Sequence, residues 1–219
     1  MTQTNEPPEN PGRFSLASGK LSALSLLSRG SEMARVSYKP ENEYPLFVKF
    51  FFWFQKRKYQ TILEPTLLWG RSPKLLYGFQ ALTGAITRKA SPIEPVLRTL
   101  ITVRVSQINS CPFCVDIHSS TLMKLGVPME KILAISDCES DLSFTERERS
   151  ALAYAVVMTR SDMKVDDALF SRVRAQFSED ETVELTALIG IQNLSSKFNS
   201  ALGVPAQGFC LPPGSRKKE

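Results

Sequence analysis

The chain has 219 residues, of which 42% are hydrophobic and 22% charged, a composition typical of a globular protein with one substantial domain. Its net charge of +5 is uneven: residues 1–93 contain 13 Lys or Arg against 6 Asp or Glu, whereas residues 94–219 contain 14 against 16. These basic residues form no recognisable nucleic-acid-binding module, so we expect no nucleic-acid partner. Four cysteines are too few for the disulfide framework of a small secreted domain.

Residues 1–40 are predicted to form a mobile arm. The segment is polar, has three prolines within its first eleven residues and continues into repeated serines. Its only apolar stretch, residues 21–27, is too short and too rich in serine for a secretory signal. We therefore expect a cytoplasmic protein, with Met33 as a second candidate start.

The densest aromatic run of the chain, Leu46-Phe-Val-Lys-Phe-Phe-Phe-Trp-Phe54, is predicted to be helical. Nine residues cannot span a bilayer as a helix, so we expect no membrane insertion. The basic residues that follow, up to Lys58, leave binding to a membrane surface as an alternative. Burial of the aromatic side chains in the core or against another subunit is the favoured interpretation.

Helical patterns continue to about residue 202 and predict an all-α domain over residues 41–206. The predicted helices cover residues 67–87, 92–108, 112–125, 144–159, 166–177 and 178–202. The β-branched residues from Ile101 to Ser106 are typical of a strand, but the uninterrupted length without Gly or Pro favours a helix. Residues 207–219 are predicted to form a flexible basic tail.

Two signals in the sequence mark helix ends within this domain. Ser143 with Glu146, and Ser178 with Glu181, are spaced as capping boxes. The segment from Leu125 to Pro128 recurs 77 residues later as another Leu-Gly-Val-Pro, which raises the possibility of a duplicated helical hairpin.

The segment with the clearest chemistry is Cys111-Pro-Phe-Cys114-Val-Asp-Ile-His118, which contains the only histidine of the chain. If a helix follows Pro112, Cys114 and His118 lie one turn apart on the same face. Cys111 would then lie at the helix N-terminus, where unpaired N–H groups stabilise a thiolate. The pattern indicates dithiol redox chemistry.

Three alternatives remain for this cluster. Zinc could be bound by Cys111, Cys114, His118 and Cys138, although the spacing matches no common zinc finger. The tetrapeptide resembles that of glutaredoxins, but that fold requires the motif after a first strand. Finally, the thiols could be buried structural residues beside a core histidine.

The cluster, together with Val105–Ser110 before it and Leu125-Gly126 after it, resembles the carboxymuconolactone decarboxylase superfamily. It matches the alkylhydroperoxidase D-like branch, which retains C-x-x-C-x-x-x-H. Similar motifs occur at residues 144–149 and 184–203, so the resemblance covers about residues 44–203. It implies an all-α fold with an internal pseudo-repeat and a homotrimeric or homohexameric assembly.

The resemblance also implies a role for each site residue. Cys114 would attack the hydroperoxide, Cys111 would resolve the resulting sulfenic acid as a disulfide, and His118 would carry the proton. The family usually has a glutamate twelve residues before the first cysteine, where this chain has Thr99. We expect His118 to be a weaker base as a result. Thr99 and Gln107 are predicted to be supporting residues of the site.

Glu94 and Asp116 are the two acidic residues that could replace the missing glutamate. We expect Asp116 to face solvent, because it lies on neither the Cys114 nor the His118 face of the predicted helix. Cys138 and Cys210 are interpreted as structural or incidental, since the acidic neighbours of Cys138 would raise its pKa.

The sequence thus predicts a thiol-dependent peroxidase that needs no cofactor or metal and serves antioxidant defence. Its expected partners are a hydroperoxide substrate and a dithiol reductant, either a lipoyl protein or a thioredoxin-like protein. The alternative is a redox-switch or structural protein of the same fold, or a zinc-binding protein.

Overall fold

A computed structural model describes residues 34–210 of the chain. Within this range the chain forms nine α-helices and two short 3₁₀ helices, and it contains no strand. The α-helices are α1 (Leu46–Tyr59), α2 (Glu64–Trp69), α3 (Pro73–Ile86), α4 (Pro95–Ile108), α5 (Pro112–Lys124), α6 (Met129–Leu133), α7 (Glu146–Thr159), α8 (Asp167–Arg174) and α9 (Glu179–Ala201), and the 3₁₀ helices are Glu41–Glu43 and Ala134–Asp137. The all-α fold class is confirmed.

Helix α4 lies at the centre of the fold and packs against α5, α7 and α9. Its side chains Ile101, Val103 and Val105 have no exposed surface. Burying one such side chain contributes about 1.5–3 kcal/mol, whereas the β preference of these residues amounts to about 1 kcal/mol or less. Packing therefore outweighs propensity, and the predicted helix is confirmed.

The boundaries of two predicted helices are wrong. Helix α4 begins not at Pro92 but at Pro95, whose fixed φ suits the first helical position. The predicted helix over residues 67–87 is interrupted after Trp69, and α3 begins at Pro73. In the middle of a helix, Pro73 would remove a backbone hydrogen bond because it has no N–H, which explains why the helix is interrupted before it.

The helix caps agree with the sequence at one site and differ at the other. The capping box predicted at Ser143 and Glu146 lies two residues later, at Thr145 and Glu148. There the Thr145 hydroxyl accepts from the Glu148 N–H, and the Glu148 carboxylate accepts from the Thr145 N–H. The box that begins at Ser178 is present as predicted.

The repeated Leu-Gly-Val-Pro segments form the same helix cap after α5 and after α9. Gly126 and Gly203 both have left-handed backbones, with φ of 82° and 67°. A residue with a Cβ is strained in that conformation, so glycine is required at both ends. The hairpin itself is not repeated, because the 77-residue shift places the turn at Ser110 on residue 187, inside the continuous helix α9.

The predicted mobile arm, residues 1–40, is partly folded. Ala34 is buried, and the Arg35 N–H donates to the carbonyl of Leu202 at 2.8 Å. The ordered domain therefore begins at least six residues before the predicted boundary. Residues 1–33 lie outside the described residues.

The predicted C-terminal tail, residues 207–219, also begins later than expected. Phe209 is buried, and its ring meets Tyr59 and Phe113 edge to face. We call residues 204–210 the C-terminal strap, since this segment crosses the fold beside α5. Residues 211–219 lie outside the described residues.

Only part of the aromatic run in α1 is buried. Val48 and Phe52 enter a cluster with Trp69 and Leu76. Phe51 is partly buried against this cluster. Five other large apolar side chains of the run are between 46% and 84% exposed, namely Leu46, Phe47, Phe50, Trp53 and Phe54. These five are not buried in the core of this chain. Of the two predicted alternatives, burial against another subunit stays a prediction for them. None of the helices within residues 34–210 has the length and hydropathy needed to cross a bilayer.

Candidate functional site

The two cysteines of the motif lie at the turn from α4 to α5. Ser110 adopts a left-handed backbone with φ of 50°, which reverses the chain, and Cys111 caps the N-terminus of α5. The Cys111 Sγ accepts a hydrogen bond from the Cys114 N–H at 3.3 Å. The local geometry expected from the motif, with Cys111 at a helix N-terminus, is thus present.

Both cysteines are buried, Cys111 being 1% and Cys114 2% exposed. They belong to an apolar cluster that includes Phe113 and, from the C-terminal strap, Val204 and Phe209. A small molecule can therefore reach the sulfur atoms only if part of this cover moves.

Polar side chains from α4 and α9 surround the Cys114 sulfur. Asn199 Nδ2 donates to Cys114 Sγ at 3.3 Å, across 85 residues of sequence. Nearby, Gln192 Nε2 donates to the Ser106 hydroxyl at 2.8 Å, and that hydroxyl donates to the carbonyl of Thr102 at 2.5 Å. The sulfur is thus enclosed by neutral hydrogen-bonding groups rather than by charges.

These surroundings make the two thiols unequal. The hydrogen bond from Cys111, and then those from Asn199, Ser106 and Gln192, lower the pKa of Cys114 against the opposing effect of burial. Burial, followed by the hydrogen bond and charge of Cys114, raises the pKa of Cys111. The Cys114 N–H acts in the opposite direction on Cys111 but is a smaller effect. Cys114 is therefore the thiol more readily ionised.

His118 lies one turn after Cys114 on α5. Its ring has no hydrogen-bond partner among residues 34–210, and burial alone lowers its pKa to about 4. At neutral pH the imidazole is consequently uncharged and free to accept a proton, but it is a weak base.

The predicted supporting residues do not reach this site. The Thr99 hydroxyl donates to the carbonyl of Pro95 at 2.7 Å, within its own helix. Gln107 Oε1 accepts from Arg104 at 3.4 Å rather than contacting Cys111. Glu94 pairs with Arg147 at 3.2 Å. None of them supplies the carboxylate that the sequence lacks at Thr99.

The expectation that Asp116 faces solvent is wrong. Asp116 is fully buried, and its carboxylate accepts three backbone N–H bonds from the C-terminal strap. The donors are Gln207 at 3.0 Å, Phe209 at 2.9 Å and Cys210 at 2.8 Å. The residue is an anchor for the strap that covers the cysteines, and not a partner of His118.

The two other cysteines lie apart from the motif or are poorly ionised. Cys138 is buried in the main core around α4, and burial, with Glu139 second, raises its pKa. Cys210 donates to the carbonyl of Asp116 at 3.0 Å, and burial raises its pKa to about 11. Cys138 thus belongs to a different cluster from Cys111 and Cys114, so the four-ligand zinc set is not assembled. Among residues 34–210, no three His, Cys, Asp or Glu side chains converge as a metal site.

Comparison with known proteins identifies the family. Residues 73–156 match the model of the carboxymuconolactone decarboxylase family. YnjA of Escherichia coli (strain K12) is 41% identical over 177 residues, which cover 81% of this chain and 97% of that protein. The chain belongs to the carboxymuconolactone decarboxylase family. The resemblance stated from the motif is confirmed.

Solved structures of two other proteins share the fold of this chain. A peroxidase-related protein from Ralstonia eutropha JMP134 with an AhpD core superposes with a TM-score of 0.75, at 19% identity, over 85% of this chain and all of that chain. The debrominase Bmp8 gives a TM-score of 0.69 at 22% identity, over 80% of this chain and 92% of its own. At these identities the superpositions show a common fold, and the two names show that the fold serves more than one chemistry.

The predicted positions of Cys111, Cys114 and His118 at the start of a helix agree with the structure. The side chains contributed by other helices were not predicted. Asn199 lies in a segment that resembles the family, but nothing local in the sequence indicates that it meets Cys114. Ser106 and Gln192 read as ordinary polar positions of amphipathic helices. The contact between α5 and α9 joins residues 85 positions apart, and no periodic pattern within a single sequence indicates such a contact.

Proposed function

We propose that this protein is a thiol-dependent peroxidase that reduces alkyl hydroperoxides or hydrogen peroxide. The observation that carries the proposal is the inequality of the thiol pair: Cys114 accepts hydrogen bonds that lower its pKa, while the pKa of Cys111 is raised. A thiolate is the nucleophile in such chemistry, and a protonated neighbour can resolve its oxidised form.

The reaction begins when His118 accepts the proton of Cys114. The Cys114 thiolate attacks the terminal oxygen of the hydroperoxide, so that an S–O bond forms and the O–O bond breaks. The departing alkoxide takes the proton from the His118 imidazolium, which at a pKa of about 4 is a strong proton donor.

The second half of the cycle restores the thiol pair. The Cys111 sulfur attacks the Cys114 sulfenic acid, an S–S bond forms, and water leaves with the proton of Cys111. An external dithiol, from a lipoyl protein or a thioredoxin-like protein, then reduces the Cys111–Cys114 disulfide. No metal or organic cofactor takes part in these steps.

Steady-state peroxide reduction with cysteine variants tests this proposal. Cumene hydroperoxide consumption is measured with dihydrolipoamide, or with thioredoxin and its reductase, as the electron source. Cys114→Ser is expected to abolish turnover, whereas Cys111→Ser should oxidise once and leave a sulfenic acid that dimedone traps. Cys138→Ser is the matched control, because Cys138 is also buried but lies in the main core cluster around α4. Turnover by Cys114→Ser at the wild-type rate would refute the proposal.

A redox switch of the same fold is the second candidate. Two observations favour it: both thiols are covered, and His118 has no carboxylate partner. A reversible Cys111–Cys114 disulfide without reduction of any hydroperoxide would support the switch instead of the peroxidase.

We also propose that the chain assembles as a homotrimer or homohexamer. The large apolar side chains left exposed on α1 and α3 support self-association, because contiguous surfaces of this kind are rarely left in water. Light scattering after size-exclusion chromatography measures the mass directly, and a monomer at micromolar concentration would contradict this part of the proposal.

A further inference from the structure

Asn199 is a buried amide of which only one half is used. The residue is 1% exposed, and its Nδ2 donates to Cys114 Sγ at 3.3 Å. Its Oδ1 is also buried but accepts no hydrogen bond from any residue in the range 34–210. A buried acceptor without a partner costs about 1–3 kcal/mol, so it calls for an explanation.

The unused oxygen belongs to the amide whose nitrogen meets the reacting sulfur. Nδ2 and Oδ1 are attached to the same carbon, so a group in contact with Cys114 Sγ is within reach of Oδ1 as well. An amide oxygen only accepts hydrogen bonds, and a bound molecule must therefore offer it a donor. A hydroperoxide has one such donor, the O–H on its terminal oxygen, which is also the oxygen that a thiolate attacks.

No other described residue of the site is placed to stabilise the thiolate and bind the peroxide as Asn199 is. The hydroxyl of Thr99 is committed to its own helix, and His118 is uncharged at neutral pH. The described groups that act on the Cys114 sulfur include no cation, so neutral hydrogen-bond donors have to stabilise the negative charge of the thiolate. Asn199 is the one of these donors whose side-chain nitrogen meets the sulfur in a direct hydrogen bond.

We propose that Asn199 is a catalytic residue, whose Nδ2 holds the Cys114 thiolate and whose Oδ1 binds the O–H of the hydroperoxide under attack. The inference rests on the proposed peroxidase function and specifies its substrate class as peroxides with a free terminal O–H. In the bound complex the amide orients the terminal oxygen toward Sγ. The S–O bond then forms, the O–O bond breaks, and the alkoxide leaves with the proton that His118 received from Cys114.

Two variants separate the two halves of the amide. Asn199→Ala removes both the donor and the acceptor, whereas Asn199→Asp is nearly isosteric, loses the donor and keeps acceptor oxygens. Asn193→Ala is the matched control, because Asn193 lies on the same helix but its Nδ2 donates to Thr159 and to the Ile189 carbonyl. Thermal unfolding followed by circular dichroism confirms that each variant is folded.

The donor half is measured without peroxide. Thiolate absorbance at 240 nm is titrated for each protein and for its Cys114→Ser counterpart, and the difference reports Cys114 alone. Both Asn199 variants should raise the pKa of Cys114 by a unit or more, so that about tenfold less thiolate is present at pH 7. The control should titrate as the wild type does. A folded Asn199 variant with an unchanged Cys114 titration would overturn the donor assignment.

The acceptor half is measured by peroxide kinetics at a pH above the Cys114 pKa of every variant, where all are thiolates. The KM of Asn199→Ala for cumene hydroperoxide should then rise about tenfold, the loss of one hydrogen bond of ordinary strength, while Asn199→Asp stays near the wild type. Equal KM values for Asn199→Ala and the wild type would overturn the acceptor assignment. If the wild type itself reduces no hydroperoxide, the proposed function and the acceptor role both fail, and the titration still decides the donor role.

Discussion

The anchor of the C-terminal strap gives the most direct test of how the site is covered. Asp116→Ala removes a carboxylate that accepts backbone N–H bonds at 3.0, 2.9 and 2.8 Å. A hydrogen bond to a charged group contributes about 1.5–3 kcal/mol, so three give a gross loss of about 5–9 kcal/mol. The measured loss will be smaller, because the strap can detach and hydrate its own N–H groups.

We expect Asp116→Ala to lower the free energy of unfolding by about 3 kcal/mol in a urea titration, since the variant loses the burial of Phe209 as well. Its two motif thiols should also react faster with a disulfide reagent, because Phe209 no longer covers them. Asp162→Ala is the control, because Asp162 is 65% exposed and forms an exposed ion pair with Arg160. A loss of less than 0.5 kcal/mol for Asp116→Ala, of the order of an exposed ion pair, would refute the anchor.

Three further predictions follow from individual groups. His118 should stay neutral down to about pH 4 in NMR titrations. Its pKa in the unfolded chain is about 6.5, so the free energy of unfolding should fall by up to about 3 kcal/mol as the pH is lowered from 6.5 to 4. His118→Gln should abolish this contribution to the pH dependence of stability. Thr145→Ala should destabilise α7 by about 1 kcal/mol and Ser143→Ala by less than half as much, as judged by urea unfolding. Cys210, with a pKa of about 11, should be alkylated about a hundredfold more slowly at pH 7 than an unperturbed cysteine with a pKa of 9.0, a ratio that mass spectrometry can follow.

The parts of the fold that the sequence predicts are those that local chemistry decides. The box at Ser178 and the glycine stops at Gly126 and Gly203 depend on neighbours within four residues, and all three are present. Positions were misjudged where two local signals compete. Ser143 and Thr145 both precede an acidic residue by three, and the sequence does not say which hydroxyl meets the helix.

Burial was misjudged where the partner lies far away in sequence. Asp116 was expected at the surface because it shares no helix face with Cys114 or His118, and that inference considered only one helix. The strap that covers it begins about ninety residues later. The Asp116 carboxylate accepts hydrogen bonds from backbone N–H groups of the C-terminal strap. No sequence pattern around residue 116 indicates these donors.

The same limit explains why neither acidic residue suggested by the sequence, Glu94 or Asp116, replaces the missing glutamate. From the sequence, Thr99 marks a gap in a proton relay, and the natural search is for another acid nearby. The structure supplies no acid: Glu94 is paired at the surface and Asp116 holds the strap. It supplies an amide from α9 instead, in direct contact with the sulfur. A neutral donor can hold a thiolate in a buried, water-poor site because hydrogen bonds are stronger there than in water. The loss of one charge from the relay therefore does not by itself imply the loss of a reactive thiol.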